Sequence, residues 1–243
     1  MTYPLPRWIA HRGGGALAPE NTLAGFRLAA RLGFKAVEFD VMLSRDGVPL
    51  LMHDETLERT TNGSGYVADL DWAEIAGLDA GSNYHKSWAG EPVPRLEQVL
   101  VLCDELGLAP NVEIKPVTGH EEATGAVVAE VVRRLWPAAA GLLLSSFAEA
   151  ALVAVQRRLP AVPRALLVET VPADWHERLR HLGCVALHAR ASALDAEILA
   201  ACTAAAVPVA AYTVNTVEEA ARCFGLGVRA LFTDRLDRFA PAG

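Results

Sequence analysis

Short apolar, often β-branched runs alternate with Ala-, Leu- and Arg-rich amphipathic stretches along nearly the whole chain. Strand candidates are 8–11, 36–42, 48–53, 111–115, 141–145, 164–168, 184–188, 207–213 and 228–232. Amphipathic helices are expected over 21–32, 95–106, 121–135, 148–158, 174–181, 192–205 and 216–224. A strand that returns through a helix must lie parallel to its predecessor, so this pattern builds a parallel α/β sheet. In 243 residues the expected form is a single domain, 1–243, closed as a (β/α)8 TIM barrel. An open doubly wound sheet is the alternative, but no glycine-rich dinucleotide fingerprint follows any strand.

Nine strand candidates exceed eight staves by one. Only Leu43-Ser44-Arg45-Asp46-Gly47 separates 36–42 from 48–53. A parallel crossover needs about a dozen residues, whereas Asp-Gly is a hairpin signal, so this pair should be antiparallel. The hairpin is expected to bring His53 beside Glu38 and Asp40. Residues 54–94, rich in turns and carrying Trp72 and Trp88, interrupt the alternation. They are expected to form a small insertion over the C-terminal mouth of the barrel.

Composition narrows the functional classes. A net charge of −7 without any basic block argues against a nucleic-acid partner. No apolar run approaches the roughly 18 residues of a membrane span, and the first residues lack an apolar leader, so a cytoplasmic protein without stable membrane insertion is expected. Four widely spaced cysteines, Cys103, Cys184, Cys202 and Cys223, read as buried apolar groups in a reducing compartment.

Charged residues then collect where strands end. Glu38 and Asp40 share one face of a strand whose other face is Val37, Phe39 and Val41. Two adjacent carboxylates in an apolar setting call for a cation, and oxygen ligands select a hard divalent ion, Mg²⁺ or Ca²⁺. Glu113 and Lys115 repeat the pattern: Glu113 is a third metal oxygen, and Lys115 a fixed positive charge for an anionic substrate. Lys115 is one of only three lysines, with Lys35 and Lys86. His11 and His53 are the candidate acid/base pair beside these carboxylates.

Arg12 suits a bidentate phosphate contact, and Gly13-Gly14-Gly15 should let the backbone approach a ligand. Asn21 or Thr22 is expected to cap the next helix and offer its N–H groups to an anion; Asn215 or Thr216 is expected to cap a later one. Tyr212 is a candidate to line the pocket, and His188 to face the mouth.

These residues resemble, in order and spacing, the signature of the glycerophosphodiester phosphodiesterases. The resemblance rests on His11-Arg12-Gly13, Pro19-Glu20-Asn21-Thr22, Glu38-x-Asp40, His53-Asp54, Glu113-x-Lys115, Tyr212-Thr213-Val214-Asn215 and Thr233-Asp234-Arg235. It covers essentially the whole chain and is similar to the compact cytoplasmic bacterial branch. It implies a TIM barrel with an insertion after the third strand. It also implies metal ligation by Glu38, Asp40 and Glu113, acid/base chemistry by His11 and His53, and phosphate contacts from Arg12 and Lys115. The implied reaction yields sn-glycerol 3-phosphate and an alcohol such as choline or ethanolamine, through a cyclic phosphate in the family's usual scheme. The cofactor is one divalent ion, Mg²⁺ ahead of Ca²⁺, the partner a small glycerophosphodiester, and the assembly a monomer or homodimer.

Two positions depart from the family pattern: Tyr212 stands where Trp is usual, and Leu236 where Pro is usual. The first bears on packing around the glycerol. Two alternatives stay open: a lysophospholipase D-like enzyme acting on lipids, and a silent barrel that only binds phosphorylated ligands.

Overall fold

The apolar runs close into a ring of eight parallel strands in the computed structural model, which describes residues 2–136 and 141–239. The strands are β1 (Trp8–Ala10), β2 (Ala36–Leu43), β3 (Pro49–Leu51), β4 (Ala109–Ile114), β5 (Leu143–Ser146), β6 (Arg164–Val168), β7 (Ala186–Arg190), β8 (Val209–Tyr212) and β9 (Ala230–Thr233). Around the ring the order is β1-β2-β4-β5-β6-β7-β8-β9, and pairing of β9 with β1 closes it. The helices are α1 (Leu23–Arg31), α2 (Trp72–Ile75), α3 (Leu96–Leu106), α4 (Glu121–Leu135), α5 (Glu149–Arg158), α6 (Trp175–Leu182), α7 (Ala196–Ala204) and α8 (Val217–Gly225). The expected TIM barrel is therefore present. No helix among the described residues is long and apolar enough to cross a membrane.

The ninth strand is β3, antiparallel to β2 and outside the ring. Its register, Val41 opposite Leu51 and Leu43 opposite Pro49, follows from the Asp46-Gly47 turn, where Gly47 sits at φ +79°. The hairpin forms as expected, but it delivers His53 differently. Pairing ends with Met52 N–H donating to the Asp40 carbonyl at 3.2 Å. One more residue of strand would put His53 on the face opposite Asp40. Instead the chain bends at 53–55, and the bend turns His53 toward the mouth.

Beyond that bend, residues 54–94 build their own small core. Leu57, Val67, Ile75, Ala80 and Val93 bury against Met42, Leu50 and Met52 on the hairpin. Trp72 is partly buried in this cluster, with Arg95 5.8 Å above its ring, and Trp88 is half-buried.

The barrel interior is narrow because its lower layer is small. Ala36, Ala165, Ala186, Ala210 and Ala230, near the strand starts, pack with Leu143, Ile9 and Leu5, and Tyr3 packs against them. His188 belongs to this interior, contrary to the expectation that it faces the mouth. It is fully buried between Tyr3 and Phe232, with Nε2 3.4 Å from the Tyr3 hydroxyl. Among the cysteines, all four are free, and all but the half-buried Cys184 are buried.

Candidate active site

Charged residues are tolerated at strand ends because there the barrel interior opens to water. His11 follows β1, Glu38 and Asp40 lie on β2, Glu113 on β4, and Lys115 just beyond it. Parallel register sets Asp40 beside Glu113. His11, Arg12, Asp40, His53, Glu113, Lys115 and Tyr212 line one open cleft of about 520 Å³. Glu38 joins His11, Glu113 and Tyr212 around a narrower cavity beside it. The eight candidate catalytic, metal and substrate-contact residues thus meet at the mouth.

Glu38, Asp40 and Glu113 offer carboxylate oxygens that lie within 4.8 Å of one another. Glu38 and Asp40 are 3% and 1% exposed, so these charges are largely dehydrated. Burial, then Asp40 and Glu113, push the Glu38 carboxyl well above the ordinary carboxylate range. Burial and Asp40 push Glu113 up to about 8. Glu38 Oε1 is buried without a hydrogen-bond partner, while Oε2 accepts from the Arg12 backbone N–H at 2.9 Å. Three crowded carboxylates and one orphaned oxygen fit a hard divalent cation, which would compensate the charge and take up the free lone pairs. The nearby protein cations are too remote to do both: Lys115 Nζ is 3.8 Å and Arg12 Nε 3.7 Å from Asp40.

Each histidine has its own carboxylate. His11 Nδ1 is 2.7 Å from Asp234 Oδ1, with Nε2 3.7 Å from Glu38. His53 Nδ1 is 2.7 Å from Asp54. An ionised carboxylate only accepts, so each Nδ1 carries a proton and each Nε2 is left for chemistry. Burial lowers the His53 pKa, with the Asp40 charge acting against it.

Behind these residues stands a layer that the sequence reading did not assign. Asn21 donates to Asp40 Oδ2 at 2.9 Å and accepts from the Asp40 N–H at 3.2 Å. Asn215 donates to Asp234 Oδ2 at 2.9 Å and accepts from its N–H at 2.8 Å. Arg59 joins Asp54 to Glu20, and Glu20 accepts from Arg12 at 3.0 Å. Hydrogen bonds from Arg59 and His53 hold Asp54 far below the ordinary range against the effect of burial.

Of each expected pair of cap candidates the threonine caps, Thr22 on α1 and Thr216 on α8, while each Asn is committed to a carboxylate. The N–H groups at the start of α1 face no ligand: Ala24 N–H donates to Glu91 at 2.8 Å and Gly25 N–H to Thr22 at 3.2 Å. The glycines after His11 admit close neighbours within the protein, and Gly15 also lines a cleft beside His11 and Arg12. A Cβ on Gly15 would lie 2.4 Å from the Asp234 carbonyl, and one on Gly14 would lie 2.6 Å from Ala18 Cβ. Tyr212 lines the cleft as expected, its hydroxyl donating to the Val168 carbonyl at 2.8 Å and its ring edge-on to Phe147.

Residues 11–238 match the glycerophosphoryl diester phosphodiesterase family. The chain belongs to that family. A glycerophosphodiester phosphodiesterase of Caldanaerobacter subterraneus subsp. tengcongensis is 34% identical over 93% of each chain. An Oleispira antarctica phosphodiesterase, solved in complex with the product sn-glycerol-3-phosphate, is 40% identical. It superposes with a TM-score of 0.93 over 96% of this chain and 95% of its own. A glycerophosphodiester phosphodiesterase of Agrobacterium tumefaciens is 28% identical, with a TM-score of 0.83 over 98% of this chain and all of its own. Membership in the glycerophosphodiester phosphodiesterase family makes the chain an enzyme, as the motif implied.

Proposed function

We propose that this phosphodiesterase hydrolyses water-soluble glycerophosphodiesters to sn-glycerol 3-phosphate and an alcohol, with Glu38, Asp40 and Glu113 holding one divalent cation. The observation that supports this reading is that His11 and His53, each held by a carboxylate (Asp234 and Asp54), line one cleft with Asp40 and Glu113. When bound, the cation neutralises charge on the cluster and on the phosphate's non-bridging oxygens. Mg²⁺ and Ca²⁺ are both hard ions suited to carboxylate oxygens, and Mg²⁺ is the first to try.

The chain's own groups supply the rest. Arg12 and Lys115 approach the cleft from the Asp40 side and bind the phosphate anion. His53, kept neutral by burial, takes the proton of the glycerol 2-hydroxyl as its oxygen attacks phosphorus. The P–O bond to the alcohol breaks as His11, acting in its doubly protonated form, gives the Nε2 proton to the leaving oxygen and keeps the Nδ1 proton directed at Asp234. Water then opens the resulting cyclic phosphate with the two histidines in reversed roles. In this reading 1–243 is one catalytic domain, and 54–94 sits over the mouth, contributing Arg59 and Tyr84 to its walls. The free cysteines are consistent with a reducing, cytoplasmic setting.

A lipid substrate would require an exposed apolar rim, and the insertion carries two tryptophans, Trp72 and Trp88. Trp72 is committed to the core of 54–94 and Trp88 is half-buried, which favours soluble diesters. The test is a product assay on glycerophosphocholine, glycerophosphoethanolamine and lysophosphatidylcholine. Glycerol 3-phosphate from the first two supports the reading; turnover of the lysolipid alone contradicts it.

A further inference from the structure

A narrow cavity of about 40 Å³ runs from the mouth into the barrel, passing Glu38 and Tyr212 and reaching Asn111, Ser145, Leu167 and Phe232. Asn111 is 1% exposed and Ser145 0%. The Asn111 amide donates to Ser145 Oγ at 2.9 Å, while Oδ1 is buried with no partner. Nothing in the chemistry described above uses this acceptor. A buried amide oxygen is costly unless a donor reaches it. Asn111 is the register partner of Glu38 on the neighbouring strand, and both side chains line this cavity, so a ligand seated at the carboxylates lies beside it.

The size and walls of the cavity define what that donor is. About 40 Å³ suits a group of one or two heavy atoms, not a chain. Leu167, Phe232 and Phe147 offer apolar contact to a methylene, and Asn111 Oδ1 offers a single acceptor to a hydroxyl. We infer that the cavity receives the free terminal hydroxymethyl of the substrate's glycerol, whose O–H donates to Asn111 Oδ1. Asn111 is then a specificity-determining residue that reads the terminal hydroxyl of the glycerol. An acyl ester at that oxygen has no proton to donate and no room to enter. The inference rests on the hydrolysis proposed above.

The test compares glycerophosphocholine with the phosphocholine diester of propane-1,2-diol, which keeps the attacking 2-hydroxyl and lacks only the terminal one. Wild-type kcat/KM is expected to be at least about 100-fold higher for the glycerol diester, since a site built to pair a hydroxyl rejects its deoxy analogue strongly. Asn111→Leu is expected to lower kcat/KM for the glycerol diester toward that of the deoxy diester, which itself changes little. Ser145→Ala, which frees the amide to rotate, should narrow the same ratio less. Equal wild-type rates on the two diesters would mean that the cavity holds water and would overturn the inference, whether or not the variants fold. Equal losses on both diesters in Asn111→Leu would overturn it too, since a merely structural role moves both together. Failure of the wild type to release glycerol 3-phosphate from any glycerol diester overturns the reaction itself, a distinguishable result.

Discussion

His11 and Asp234 lie 2.7 Å apart at the mouth, although 223 residues separate them in sequence. The contact exists because the last strand pairs with the first, Ala10 beside Thr233, so the residues that follow them are neighbours. Burial pushes the Asp234 carboxyl up, but hydrogen bonds from His11 and Asn215 hold it below the ordinary range. An ionised Asp234 keeps the His11 proton on Nδ1 and presents Nε2 to the substrate. Asp234→Asn permits the other tautomer, so kcat should fall by about 10²–10⁴-fold with KM little changed. Steady-state kinetics on glycerophosphocholine check this, with circular dichroism as the control for folding.

Asn21 grips Asp40 at both ends of its amide from a φ of +57°, a conformation that Asn accepts more readily than most residues. Loss of such a support behind a metal ligand typically weakens metal binding by about 10–100-fold. Asn21→Ala should therefore raise the metal concentration for half-maximal activity by that factor, while kcat at saturating metal recovers most of its value. A metal titration of activity separates the two effects.

Stability should carry a separate pH signature from the barrel interior. Burial lowers the His188 pKa from 6.5 to about 3. The unfolded chain binds this proton first, so the stability held by neutral His188 is complete above about pH 6.5 and is lost as pH falls from there toward 3. By pH 5 the loss is about 2 kcal/mol. Urea unfolding at pH 7 and pH 5 should show a larger drop for the wild type than for His188→Gln, which has no titrating group. Parallel drops would contradict this role.

The barrel and the residues at the mouth were legible in the sequence because each leaves a local mark. Alternating apolar periods mark strands and helices, and paired charges on one face of an apolar strand, such as Glu38 and Asp40, mark the mouth. Register and partnership leave weaker marks. His53 seemed to face Asp40 across a hairpin, yet pairing stops at Leu51 and a bend does the positioning. Asn21-Thr22 and Asn215-Thr216 both look like helix caps, and only the fold shows that each Thr caps while each Asn holds a carboxylate. Asn111 gave no signal, since an apolar strand with one Asn reads the same whether or not the barrel leaves a cavity beside it.

The account rests most heavily on Glu38, Asp40 and Glu113 acting as one cation site. The direct test is release of glycerol 3-phosphate from glycerophosphocholine by enzyme stripped with a chelator, then supplied with Mg²⁺ or Ca²⁺. The stripped enzyme should lose essentially all activity and regain it with a divalent ion, and Glu113→Gln should need far more metal to recover. Undiminished turnover by the metal-free enzyme would contradict the cation site.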